Sequence, residues 1–390
     1  MLPRERVLAV FQHDIPDRVP VIPKIWIDLA ANALEIPYIE VINDPALAMR
    51  AIVDAALKLR CDGVRLFIFP KRRVEQHGDQ YTQFSPSGAT LGSLDMQGGW
   101  ATRLADDATF NLADEEKIAT YQLWHTEWSI IQTRNDIDRM TVPPARFYEQ
   151  AGYGEMVERA LEIAGDQLCC IGDCNSGTLA FHVAMRGLTR ALLDLVEEPD
   201  LVRASMEKGI QISFERARFF IDGGVKVLRY NDSVANMSII SPKHWRQFIF
   251  PPLKIFCDQV HQYDHAAKIY CHICGNVMPI INDLVASGLD CIAPLDPLGG
   301  FTVAQAREKV GNDVDLMGGI NTLSFVQLLP SEIVEEARQC IEQGGKKGNF
   351  ILGSGCVVPR DAQLENLFIL KDVAEQYGRY AAGALLGNRQ

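Results

Sequence analysis

Short apolar runs, each ending in a polar or glycine-containing turn, recur along this chain and alternate with stretches of helical periodicity. The strand candidates begin near residues 18, 63, 168, 225, 267, 291, 314 and 350. The first of them, residues 18–26, carries prolines that suit the ends of a strand better than a central ladder. Nearly all are followed by amphipathic segments, including 45–60, which Asp44 and Pro45 open as N-cap and first helical residue. A further short helix is expected over residues 1–16, with Val7, Leu8 and Phe11 on one side. Alternating strand and helix implies a parallel sheet, and eight such units are the number that closes a (β/α)8 TIM barrel. The rival is an open doubly wound sheet, but no G-x-G-x-x-G turn follows the first strand to support it.

The rhythm breaks between residues 71 and 165. Glycines, prolines and short alternating segments, such as 80–84 and 99–103, predict a β-ribbon. Mostly helical sequence follows, interrupted at Val142-Pro143-Pro144. The chain therefore reads as a single α/β barrel domain over 1–390 with a helical and β-ribbon elaboration inserted at 71–165.

Composition narrows the class. Hydrophobic residues make up 47% of the 390 and charged residues 23%, as in ordinary globular proteins. A net charge of -12 excludes nucleic acid as the main partner, since phosphate binding needs a basic surface. No apolar run approaches the ~18–20 residues that span a bilayer, and the N-terminus lacks a signal-peptide apolar core. A cytoplasmic location is expected, and the ten cysteines are expected to stay reduced.

The candidate chemistry lies at the strand ends, where barrels of this kind place it. In His272-Ile273-Cys274, side chains at i and i+2 of an extended segment face one point, and an imidazole with a thiolate forms half of a zinc site. Cys356, closing the run Gly353-Ser354-Gly355-Cys356, is the candidate for the third ligand, with Cys174 as its rival. Cys257, Cys271, Cys291 and Cys340 read as core. Three protein ligands leave a fourth position open, the mark of a catalytic zinc. Asp232, or Asp173, is expected there or as a catalytic carboxylate. Tyr230, Asn231, Asn175, Asn276 and Asn321, also at strand ends, are expected to bind substrate. Turn and capping roles are the plainer alternative for Asp173, Asp296 and Asn321.

Residues 18–21, the strand ending at His272 to Asn276, Met317-Gly318-Gly319-Ile320-Asn321 and the segment 355–366 resemble the uroporphyrinogen decarboxylase superfamily. The H-x-C…C pattern is similar to that of its zinc-dependent, corrinoid-linked methyltransferases. That resemblance implies the barrel fold and methyl transfer between cobalamin on a partner corrinoid protein and a small methylated substrate or thiol acceptor. A homodimer is compatible with it. The arginine-rich motif expected of true uroporphyrinogen decarboxylases is replaced here by Lys24-Ile25-Trp26-Ile27-Asp28, and no aspartate ends the second strand at 66–70. Two alternatives stand beside methyl transfer. One is a metal-free decarboxylase using Arg65, Lys71 or Arg72, and the other is a non-catalytic barrel that binds corrinoid.

Overall fold

The computed structural model describes residues 1–94, 101–105, 109–381 and 384–386. Seven strands form one sheet in sequence order: β1 Gly63–Leu66, β2 Cys169–Asp173, β3 Val227–Asn231, β4 Lys268–His272, β5 Cys291–Leu295, β6 Asp315–Ile320 and β7 Phe350–Ser354. Every neighbouring pair is parallel. Helices such as Pro45–Lys58, Pro199–Asp222, Phe250–Tyr263 and Pro330–Gly344 cover its outer face, so each crossover returns the chain in the same direction.

The eighth place in the ring is taken by the proline-bearing segment 19–24. Ile22 donates its N–H to Leu352 of β7 at 2.8 Å, and Leu352 donates back to Pro20 at 2.9 Å. On the other side Asp62, next to β1, donates to the Val21 carbonyl at 2.8 Å. Pro20 and Pro23 have no N–H to give, so in place of a full ladder the segment makes isolated bridges, Val21 to Leu352 of β7 and Lys24 to Val357 just beyond it. The expected first strand is therefore present as an extended closing segment, with the hydrogen bonds that its prolines allow.

Two apolar layers follow from the alternation of side chains. Ile22, Cys169, Ile171, Val227, Tyr270, Cys291, Ala293, Met317 and Ile351 fill the interior, and Val7, Val10 and Phe11 of helix Pro3–Phe11 plug its lower end. The outward strand residues, Cys271 among them, join helix residues such as Cys257 in the large cluster between sheet and helices. Between β1 and β2 lie a five-stranded sheet, from Arg73–His77 to Trp124–His125, and several short helices. Of the alternating segment expected at 99–103, residues 99 and 100 lie outside the described residues, and Thr102–Leu104 is a strand. The Tyr121 hydroxyl accepts the Ser176 N–H at 2.8 Å and donates to the Ser176 carbonyl, which latches this region to the loop after β2.

A buried ion-pair network holds the plug and the closing segment. Asp62, almost fully buried, accepts from Arg6 at 2.7 Å, from Arg18 at 2.8 and 2.9 Å, and from the Val21 N–H at 2.8 Å. Asp17 accepts from Arg6 at 2.6 and 2.9 Å. Removing Asp62 would strand the buried Arg18 guanidinium and leave Arg6 with Asp17 as its carboxylate partner. Asp62→Ala is expected to cost about 3–5 kcal/mol, read as a lower urea midpoint at unchanged slope.

Asp315 sits at the same end, fully buried, and neither carboxylate oxygen has a hydrogen-bond partner among the described residues. Burial pushes its carboxyl up to about 8, with Asp290 adding to the rise and Arg307 and Lys268 opposing it. His13 Nδ1 lies 3.6 Å away. In the unfolded chain the group titrates near ~4, so the folded state holds the proton more tightly. This contribution to stability is full below about 4 and is lost as pH rises through about 8. Asp315→Asn is expected to flatten that decline, seen as a smaller drop in urea midpoint between pH 5 and pH 9 than in the parent protein.

Candidate metal centre

Strand β4 carries Tyr270 and His272 on its inner side and Cys271 on its outer side, as a period of two requires. The chain leaves the sheet after His272. Gly275 then turns it at φ +84°, a left-handed conformation that suits glycine, just after Cys274. From the far side of the ring, β7 ends at Ser354 and Gly355 leads to Cys356. The candidate ligand atoms of His272, Cys274 and Cys356 lie within 4.8 Å of one another. Cys356 Sγ is 3.8 Å from His272 Nε2. One imidazole nitrogen and two sulfurs converging from two strand ends are a donor set suited to zinc. Cys174 does not join them. It is fully buried in the outer core, its sulfur facing the Gly172 carbonyl at 3.8 Å.

The surroundings prepare these groups as ligands. Burial holds the His272 imidazole well below its ordinary value, helped by the cations of Lys24, Arg229 and Arg65, which keeps the ring neutral. The two thiols are pushed in opposite directions: a hydrogen bond from Cys274 holds Cys356 low, and the same bond pushes Cys274 up. Lys24, delivered by the closing segment, places Nζ 3.2 Å from His272 Nε2. Burial drives its ammonium down to about 7, and Arg229 and Arg65 add to the effect while the two cysteines oppose it.

Beneath the cluster, Arg65 spans the interior to the Tyr270 hydroxyl at 2.5 Å, the Pro23 carbonyl at 3.0 Å and Met317 Sδ at 3.5 Å. Arg229 pairs with the buried Asp173 and donates to Asn231 Oδ1 at 2.6 Å. Lys24 and Arg229 were not anticipated as site residues. Their signal was a cation inside an apolar strand pattern, on the inward parity of Ile22 and Val227. Arg65 was anticipated only for a metal-free decarboxylase. Of the other two cations named for that reading, Lys71 is exposed and Arg72 is buried in the outer layer near Tyr38.

The remaining expected site residues are placed as follows. Asp232 is fully buried and spends both oxygens on the start of helix Leu179–Arg186. It accepts from Ala180 N–H at 2.7 Å, Leu179 N–H at 3.2 Å and the Thr178 hydroxyl at 2.5 Å. Burial raises its carboxyl to about 6. This is a capping role supplied from another strand, although the Asp232 N–H itself donates to the His272 carbonyl at 3.0 Å. Asp173 is committed to Arg229 and to the Asn175 N–H at 3.1 Å. The Tyr230 hydroxyl is engaged by Gly177 N–H at 2.8 Å and Thr178 at 2.9 Å. Asn276 and Asn321 accept the N–H groups of Met278 and Leu323, as turn-forming asparagines do. Asn231 pairs in register with His272 and lines a cavity of about 200 Å³ with Tyr121, Trp124, His125, Ser176 and Ser233. Asn175, at φ +60°, is buried with both amide atoms unpartnered among the described residues.

Comparison with known proteins places this site in a family context. The uroporphyrinogen decarboxylase (URO-D) family model matches residues 125–377, which include all three cluster residues. A methylated-thiol–coenzyme M methyltransferase of Methanosarcina mazei is 24% identical over 191 residues, 49% of this chain and 48% of that protein. A methylcobamide:CoM methyltransferase MtaA of Methanosarcina barkeri is 25% identical over 185 residues, 47% and 51% respectively. The chain thus spans about half the length of the curated relatives it matches. A solved methyltransferase from Methanosarcina mazei shares the fold at a TM-score of 0.67 and 18% identity, covering 96% of this chain and 98% of that one.

Asp232→Ala should cost about 1–3 kcal/mol by uncapping a buried helix end. If Asp232 is a cap, the variant binds metal as the parent does. Loss of metal without loss of thermal stability would assign it to the metal centre instead.

Proposed function

Because the chain belongs to the uroporphyrinogen decarboxylase family, we propose that it is a zinc-dependent methyltransferase working with a corrinoid protein. The observation that carries this reading is the convergence of His272, Cys274 and Cys356 within 4.8 Å. Those residues would hold zinc through one nitrogen and two sulfurs, and bound zinc supplies an open position that takes a thiolate or polarises a leaving heteroatom. The neutral His272 ring and the low Cys356 thiol offer donors that need little further deprotonation at neutral pH. The methyl group would pass between cobalamin on the partner, presented at the barrel mouth, and a small acceptor or methylated substrate. Asn231, in register with His272, and Asn175, whose carbonyl accepts the Asn231 N–H, remain the proposed substrate contacts. Lys24 and Arg65, neither paired with a carboxylate among the described residues, favour an acidic group on the reactant.

The same two cations support a second reading, a metal-free decarboxylase acting on a small acid. Metal content separates the two. The parent protein is expected to purify with about one zinc per chain, and His272→Ala combined with Cys356→Ser should lose both the zinc and methyl transfer to or from a corrinoid protein. Zinc retained in full by the double variant would refute the assignment, and a parent protein that decarboxylates without zinc would favour the second reading.

A further inference from the structure

Cys356 approaches the cluster from a loop, not from within a strand, so something must fix where its sulfur lies. We propose that Ser354 is the positioning residue that does so, by joining the Cys356 loop to the barrel's closing segment through a single hydroxyl. This inference rests on the zinc reading above. The Ser354 hydroxyl accepts the Lys24 backbone N–H at 2.9 Å and donates to the Cys356 carbonyl at 2.6 Å. Its donor and acceptor are thus both engaged, and the side chain is only 4% exposed. Two further contacts fix the backbone around it. Gly355 donates its N–H to the Ile320 carbonyl at 2.7 Å, and the Lys24 carbonyl accepts from Val358 N–H at 3.0 Å. A Cβ at Gly355 would lie 2.9 Å from Asp296 Oδ1, so the loop is packed too closely there to shift outward.

The geometry makes Ser354 the shared partner of two chain segments that are 330 residues apart in sequence. One of them ends at the cluster in Cys356, and the other brings Lys24 Nζ to 3.2 Å from His272. Without the hydroxyl, the Cys356 carbonyl loses its donor and the loop loses its tie to the neighbouring element. The sulfur would then sample positions away from His272 and Cys274. Groups that orient ligands in this way typically change metal affinity by 10–100-fold when removed.

The test measures zinc affinity by competition with a chromophoric chelator, alongside the thermal midpoint of the metal-free protein. Ser354→Ala is expected to weaken zinc at least tenfold while the metal-free protein keeps its cooperative unfolding, and Ser354→Thr, which retains a hydroxyl, should recover most of the affinity. Lys24→Met keeps the backbone N–H that Ser354 accepts; it removes a cation that repels the metal but also helps keep the ligands deprotonated, so any loss of affinity should be much smaller than in Ser354→Ala. Affinity within twofold of the parent in Ser354→Ala would overturn the proposal. So would a loss in Lys24→Met as large as that in Ser354→Ala, because the effect would then belong to the lysine side chain. A parent protein that binds no zinc would instead remove the metal reading itself, and the two failures are thereby told apart.

Discussion

A parallel sheet becomes a barrel only when its last edge meets its first, and here that meeting falls to a segment poor in donors. Pro20 and Pro23 leave residues 19–24 with few N–H groups, so closure relies on Ile22 and Leu352 on one side and Val21 with Asp62 on the other. The Asp62 carboxylate reinforces it by gathering Arg6, Arg18 and the Val21 N–H at one buried point. A buried charge network of this kind adds little net stability compared with apolar packing, but it fixes one arrangement strongly because each member alone would be costly. What it fixes here is the register in which the N-terminal segment enters the ring. That register sets which side chains of the segment point inward, and Lys24 is one of them.

The position of that lysine explains the electrostatics above it. Among the described residues, the cations Lys24, Arg65 and Arg229 share the interior with Asp173, which pairs with Arg229. In a low-dielectric interior, like charges act over longer distances than in water. They reinforce the burial that keeps His272 neutral, and Lys24 adds to the Cys274 hydrogen bond in favouring the thiolate on Cys356; both effects move those two groups toward their metal-binding form. Burial and the Cys274–Cys356 hydrogen bond set the protonation of these donors, and the buried cations reinforce both. The cost is an interior that is itself short of anions, which is why an acidic reactant suits the proposed chemistry.

Much of this was legible before any coordinates. Eight apolar runs alternating with helices gave the barrel, and the period of two within Tyr270 to His272 separated Cys271, which faces the outer core, from its neighbour. The pairing of His272 and Cys274 with Cys356 could be read from residue type and place at strand ends, although 84 residues separate His272 from Cys356. The role of Ser354 was not legible. A serine in a glycine-rich turn is an ordinary loop residue until its hydroxyl is seen to serve a segment at the other end of the chain. Lys24 was obscured for a similar reason, since the prolines around it hide the alternation that would have placed it inside.

The carboxylates and amides at the other strand ends show where residue type alone misleads. Asp232 and Asp173 have the chemistry and the location of catalytic acids, yet their oxygens already serve the start of helix Leu179–Arg186, Arg229 and the Asn175 N–H. A carboxylate that accepts two backbone N–H groups and a hydroxyl, as Asp232 does, has little left to offer a metal or a substrate. Tyr230, Asn276 and Asn321 are spent in the same way on the local chain. By contrast Asn175 is buried with both ends of its amide free of protein partners among the described residues, and a buried polar group in that state calls for a partner from elsewhere. The groups open to chemistry at this barrel mouth are therefore those whose hydrogen-bonding capacity the fold has left unused. By that criterion the amide of Asn175 stands apart from the other polar strand ends, while the sulfur–imidazole cluster is set apart by its converging donor atoms.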